Sequence, residues 1–226
     1  MSRLTSAGIV GWAVAMTAVV QGSAGSPVRQ VIVRIYDDVG VGRSAMQTAR
    51  RTGSAILRQA AIEVVWRDCP TASRQAPCEG ALANNEVVVR VEAASPVSPA
   101  HSLGYARLDV QAQTGRFATV FADRIKLFAT GARCDAGTLL GRVIAHEIGH
   151  MLAGSPRHSA HGIMRARWLD SEFKQDMPWE WVFSVEEVNE MHWGLLARSV
   201  RWDEPTGVQA ADTGETRPAL GGAPVR

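Results

Sequence analysis

His146-Glu147-Ile148-Gly149-His150 constrains this chain more than any other stretch. On a helix, residues four apart lie on one face, one turn above each other. Two imidazoles placed this way reach a single metal ion, and Glu147 sits beside that ion as a carboxylate without being a ligand. Two imidazoles, an open position and a carboxylate that takes a proton from water suit zinc-based hydrolytic chemistry. A plainer account makes both histidines core side chains satisfied by hydrogen bonds. It leaves Glu147 unpaired in an apolar run, which is costly for a buried carboxylate. The run from Thr138 to Leu152 reads as one helix. Leu140, Val143, Ile144, Ile148, Met151 and Leu152 cover a wide arc of it, and Arg142 is the one charge facing the other way.

Upstream, Val31, Val33 and Ile35 alternate with Ile32, Arg34 and Tyr36, a strand with one apolar face that begins near Val28. Ser44 to Ala60 has helical spacing, with Gly53 costing about 1 kcal/mol against alanine. Ile62 to Trp66 is a second strand. Glu86 to Val91 is a third, and its consecutive valines predict burial on both faces. Leu103 to Val110 and Phe117 to Phe121, joined through Gln113-Thr114-Gly115, read as a hairpin. Asp123 to Ala129 fits a short helix or a last strand equally well. Ser184-Val185-Glu186-Glu187 is a capping box, flanked by Phe183 and Val188 as a hydrophobic staple, and opens a helix to about Arg198. Strand, helix, strand, strand predicts an α/β sandwich in which helices cover a mixed sheet.

The 226 residues suffice for one domain with short tails. Residues 1–24 hold Arg3, an uncharged run from Ala7 to Val20 and small residues at Gly22-Ser23-Ala24, which reads as a secretory signal peptide. The domain then spans 25–202. Residues 203–226, rich in proline and glycine and without an aromatic, read as a disordered tail. The expectation is a secreted or periplasmic protein without stable membrane association once the leader is removed. Cys69 and Cys78 bracket a proline-containing loop and fit a disulfide in an oxidising compartment, leaving Cys134 as a buried thiol in preference to an intermolecular bridge or a partner for one of the other two. A net charge of +2 without a basic, aromatic-studded stripe gives nucleic-acid binding no support. No calcium-loop motif is present.

A third ligand has to come from beyond His150. His158 follows Gly154, a residue suited to ending the helix and turning the chain back. His161 and the carboxylates Glu186, Glu187 and Glu190 are the other candidates, and a glutamate ligand would make the site gluzincin-like. With His146, Glu147, His150, Gly154, His158 and Gly162-Ile163-Met164, the sequence resembles the metzincins, zinc metalloproteases with H-E-x-x-H-x-x-G-x-x-H and a methionine-containing turn. His158-Ser159 also resembles the end of the matrixin form of that motif. The chain departs from the pattern at Ala153 and Pro156, so His158 lies two residues late. The resemblance implies an α+β catalytic domain: a mixed twisted sheet with a backing helix, a central active-site helix and a C-terminal helix. It implies one catalytic Zn2+ on His146, His150 and His158, Glu147 as the base for the attacking water, and Met164 as an apolar floor. It also implies a polypeptide substrate that adds as a strand to the sheet edge, for which Phe117 to Phe121 is the candidate. A zinc-stabilised binding or inhibitory domain without turnover is the competing expectation.

Overall fold

The computed structural model describes residues 29–70, 78–98 and 101–200. The expected leader and tail lie outside the described residues. Strands β1 (Arg29–Asp37), β2 (Ile62–Cys69), β3 (Glu86–Glu92), β4 (Gly104–Asp109) and β5 (Thr114–Phe121) form one sheet in the order β2-β1-β3-β5-β4. β2, β1, β3 and β5 run parallel, and β4 closes the sheet antiparallel to β5. The helices are α1 (Arg43–Gln59), α2 (Ala122–Ala132), α3 (Ala136–Ala153), the short α4 (Asp170–Gln175) and α5 (Val185–Val200). The architecture is α+β: a five-stranded mixed sheet among the described residues, packed with helices.

Alternation along the strands decides the layers. Val31, Val33 and Ile35 of β1 are buried in the core that α1 and α3 share with the sheet. β3 is an interior strand, as its valines predict, with Val87 and Val89 wholly buried and Val88 nearly so. The opposite face carries an ion cluster. Buried Arg34 donates to Glu86 at 2.7 Å, Arg67 also pairs with Glu86, and Arg34 reaches the Cys78 carbonyl at 3.0 Å. The expected Cys69–Cys78 disulfide is formed, with Cα atoms 5.6 Å apart. Cys134 is a free thiol, half-buried rather than buried.

Three sequence expectations change. Phe117 to Phe121 is not an edge, because β5 lies between β3 and β4, and among the described residues the edge strand on that side of the sheet is β4. Ala118, Val120 and Phe121 are buried, whereas β4 carries Arg107 and Asp109, and the less apolar strand takes the outside. Arg142 does not face solvent. It is buried, ion-paired with Asp176, and stacked 3.6 Å from the centre of the Trp181 ring. The aromatic-rich segment from Trp168 to Trp181, whose sequence has no regular spacing and predicts irregular chain, holds α4 and a 3-10 turn at Pro178–Trp181. Asp123 to Ala129 belongs to a helix, α2.

α3 is held more closely than side chains alone permit. A Cβ built on Gly137 would lie 2.7 Å from the Ala45 carbonyl oxygen. One on Gly141 would lie 2.8 Å from Thr52 Cβ and collide with the Ala49 carbonyl. Gly53 of α1 faces the Gly141 carbonyl from the other side. The glycine that weakens α1 by propensity is therefore part of a seam where two helix backbones meet.

Candidate metal centre

α3 begins at a cap. Asp135 accepts from the Thr138 amide at 2.7 Å, satisfying a donor that the helix itself leaves open. It ends at Gly154, whose φ of +63° is the left-handed conformation of a helix-ending glycine. Between these ends His146, Glu147 and His150 are all buried.

His158 arrives from the far side of that turn. Its Nε2 lies 3.2 Å from His150 Nε2, which lies 3.0 Å from His146 Nε2. One nitrogen from each of the three imidazoles falls within 4.8 Å of the others. The two extra residues of the loop sit at its exposed Pro156 and Arg157, with Arg157 paired to Glu190. The remaining candidates are placed elsewhere. His161 is exposed and outside the cluster, as is Glu186. Glu187 accepts from Ser159 Oγ and from the Ser184 amide, completing the capping box that opens α5.

Hydrogen bonding fixes which nitrogens converge. His146 Nδ1 lies 2.8 Å from the Ile163 carbonyl and His150 Nδ1 2.7 Å from the Ser155 carbonyl. A carbonyl only accepts, so both Nδ1 atoms carry hydrogen and both Nε2 atoms present lone pairs. Two lone pairs 3.0 Å apart repel unless a cation lies between them. This is the arrangement of metal-binding histidines whose far nitrogens are held by carbonyls. The Nε2 donors fit zinc, for which imidazole is a preferred ligand.

The electrostatics agree with that fit. Burial, together with neighbouring His150 and His158, lowers the His146 pKa to about 3, so the ring stays neutral and able to ligate. Burial likewise lowers His150 and His158. Burial pushes Glu147 up to about 8, and its Oε2 has no hydrogen-bond partner among the described residues. A divalent cation alongside would favour the carboxylate and relieve that cost.

Met164 is buried beneath α3, and a Cβ on Gly149 would come 2.8 Å from its sulfur and 2.7 Å from a Phe183 ring carbon. The glycine inside the motif therefore makes room for the Met164 and Phe183 floor. The Met164 carbonyl accepts from the Ser159 amide at 2.9 Å, joining the methionine turn to the residue that follows His158. Sequence reasoning missed Gly149, the two carbonyls and Trp168, whose ring meets His146 edge-on with centroids 5.7 Å apart. It also missed Gly104, where a Cβ would lie 3.1 Å from Glu147 Oε1. Glycine at that position lets the β4 edge close over the carboxylate. The aromatic run beyond Trp168 was a visible signal for one of these; backbone carbonyls leave none.

The centre opens into a cavity of about 880 Å³. β4 and its approach, from Ser102 to Ala106, form one wall, and Arg165 to Leu169 form another. Fold and site together define an α+β domain with a three-imidazole centre on an H-E-x-x-H helix, set beneath a free strand edge. By sequence, the chain matches no protein-family profile and no curated protein. In structure it is similar to an archaemetzincin from Methanopyrus kandleri, at 16% identity over 74% of this chain and 96% of that one, with a TM-score of 0.49. The chemistry of the centre rests on its own residues.

Proposed function

We propose that the chain is an exported zinc-dependent endopeptidase of metzincin type. The observation that carries this reading is the convergence of three imidazoles next to a buried carboxylate whose Oε2 lacks a partner among the described residues, at the base of a large cleft. His146, His150 and His158 would hold one zinc ion through Nε2. Zinc bound there supplies Lewis acidity towards a carbonyl oxygen and towards water.

The chain's own residues supply the rest. Glu147 accepts the proton of the attacking water at a carboxylate oxygen and returns it to the nitrogen of the leaving amine. Burial keeps that oxygen free of competing donors. β4, as the edge strand beside the centre, offers backbone groups to an extended polypeptide lying across the cleft, and Gly104 sets the distance between that edge and Glu147. Trp168, half-buried beside His146, limits water in the floor of the cleft.

A zinc-stabilised binding domain would use the same three histidines but has no need of Glu147 as a base. The test is metal analysis of the purified chain, combined with digestion of a diverse peptide library by wild type and Glu147→Ala. Retained zinc with cleavage lost by roughly 10²- to 10⁴-fold supports the enzyme. Wild-type protein that holds zinc and cleaves nothing supports the binding domain. Export is tested by N-terminal sequencing of protein recovered outside the cytoplasm, which should begin near residue 25.

A further inference from the structure

The walls of the cleft are unequal in charge. Apart from the three clustered histidines, its titratable lining residues are Glu147 at the base and His101, Tyr105, Arg165 and Arg167 around it. Glu147 is the only carboxylate among them. The two arginines differ in what they already hold. Arg165 is largely buried, ion-paired with Glu172 and 3.0 Å from Glu180, so its charge is spent within the wall. Arg167 is exposed on the cleft and makes no hydrogen bond or ion pair with any described residue.

The backbone that carries Arg167 is pinned on both sides. Arg165 Nε donates to the Gly162 carbonyl at 2.9 Å, and the Trp168 indole donates to the Ile163 carbonyl at 3.3 Å. Ser159 and Arg165 also form a bridge. Arg167 therefore stands as an unpartnered cation on a pinned stretch of backbone, lining a cleft whose one acid among the described residues is Glu147 at its base. Leu103, Phe128, Val143 and Trp168 also line the cleft and give it an apolar component.

We propose that Arg167 is a specificity residue that selects a carboxylate side chain close to the scissile bond, so that the substrates are acidic polypeptides presenting an apolar residue next to an Asp or Glu. A guanidinium matches a carboxylate in a two-pronged geometry that no neutral side chain reproduces. The proposal rests on the peptidase reading above.

The test uses the zinc-loaded full chain. A peptide library digested and read by mass spectrometry should show Asp and Glu enriched at one position within about three residues of the cut, the reach of an arginine along an extended strand. Synthetic peptides carrying Glu, Gln or Lys at that position then give kcat/KM. Glu should exceed Gln by about 1.5- to 5-fold, the range of an exposed ion pair, and the ratio should shrink in high salt. Arg167→Glu should remove or invert the preference, with Lys becoming the better residue, and Arg167→Lys should restore part of it. No acidic preference in the wild type, or one that survives in Arg167→Glu, overturns the proposal. A zinc-loaded wild type that cleaves no peptide at all overturns instead the peptidase reading on which it rests.

Discussion

Two backbone oxygens determine the chemistry of the motif histidines. The Ile163 and Ser155 carbonyls hold Nδ1–H of His146 and His150, so a proton or a cation is the only stable neighbour for the paired Nε2 atoms. Removing one imidazole should therefore be expensive for metal binding. His158→Ala is expected to weaken zinc affinity by at least about 100-fold, since even losing an outer-shell partner costs 10- to 100-fold. His161→Ala should leave affinity unchanged, and competition with a chromogenic chelator measures both. Equal loss in the two variants would contradict the placement of His158. The spacing of His146 and His150 made their common face legible in the sequence, because a helix converts a four-residue interval into proximity. His158 was one of several options because no local rule fixes the path of a loop across Pro156. The carbonyls were invisible, since every residue has one.

The seam between α1 and α3 sets up a contest between two effects of known size. Replacing glycine by alanine within a helix gains about 1 kcal/mol of propensity. At Gly141 the new methyl would meet the backbone of Ala49 and Thr52 Cβ, and overpacking of that kind costs about 1–3 kcal/mol. Gly141→Ala should thus lower the denaturation midpoint. Gly131 of α2 has nothing within 4 Å of a built Cβ, so Gly131→Ala should raise it by the equivalent of about 0.5–1 kcal/mol. Urea titrations of both variants decide the matter, and a stabilised Gly141→Ala would mean that the helices do not approach as described. Periodicity revealed that both helices exist. It could not reveal that Gly53 and Gly141 face each other, because that depends on the crossing of two elements distant in sequence. The hairpin of β4 and β5 was legible in the same limited way: turn residues announce the pairing, but the outer strand is decided by the parallel partner β3.

For the molecule as a whole, the sheet separates stability from chemistry. Glu86, buried on the face away from the helices, feels a desolvation penalty that would raise its pKa. The hydrogen bonds from Arg34 and the Ala83 amide, with the charges of Arg34 and Arg67, outweigh that penalty and hold it below the ordinary value of 4.5. A lowered folded-state pKa means stability that is complete above pH 4.5 and lost as pH falls below it towards the folded value. The wild type should therefore lose stability in that acid range, and Glu86→Gln, already weaker at neutral pH, should show a flatter acid limb when unfolding is followed across pH. An identical slope in both would remove Glu86 from the account. The cleft borders β4 and the disulfide leaves from β2, which are the two ends of the sheet. Four strand spacings of about 4.8 Å put them roughly 19 Å apart. Glu63, exposed on β2, is thus a natural anchor for a tether or a fluorophore: immobilised through that strand, the molecule would present its open edge to the solution.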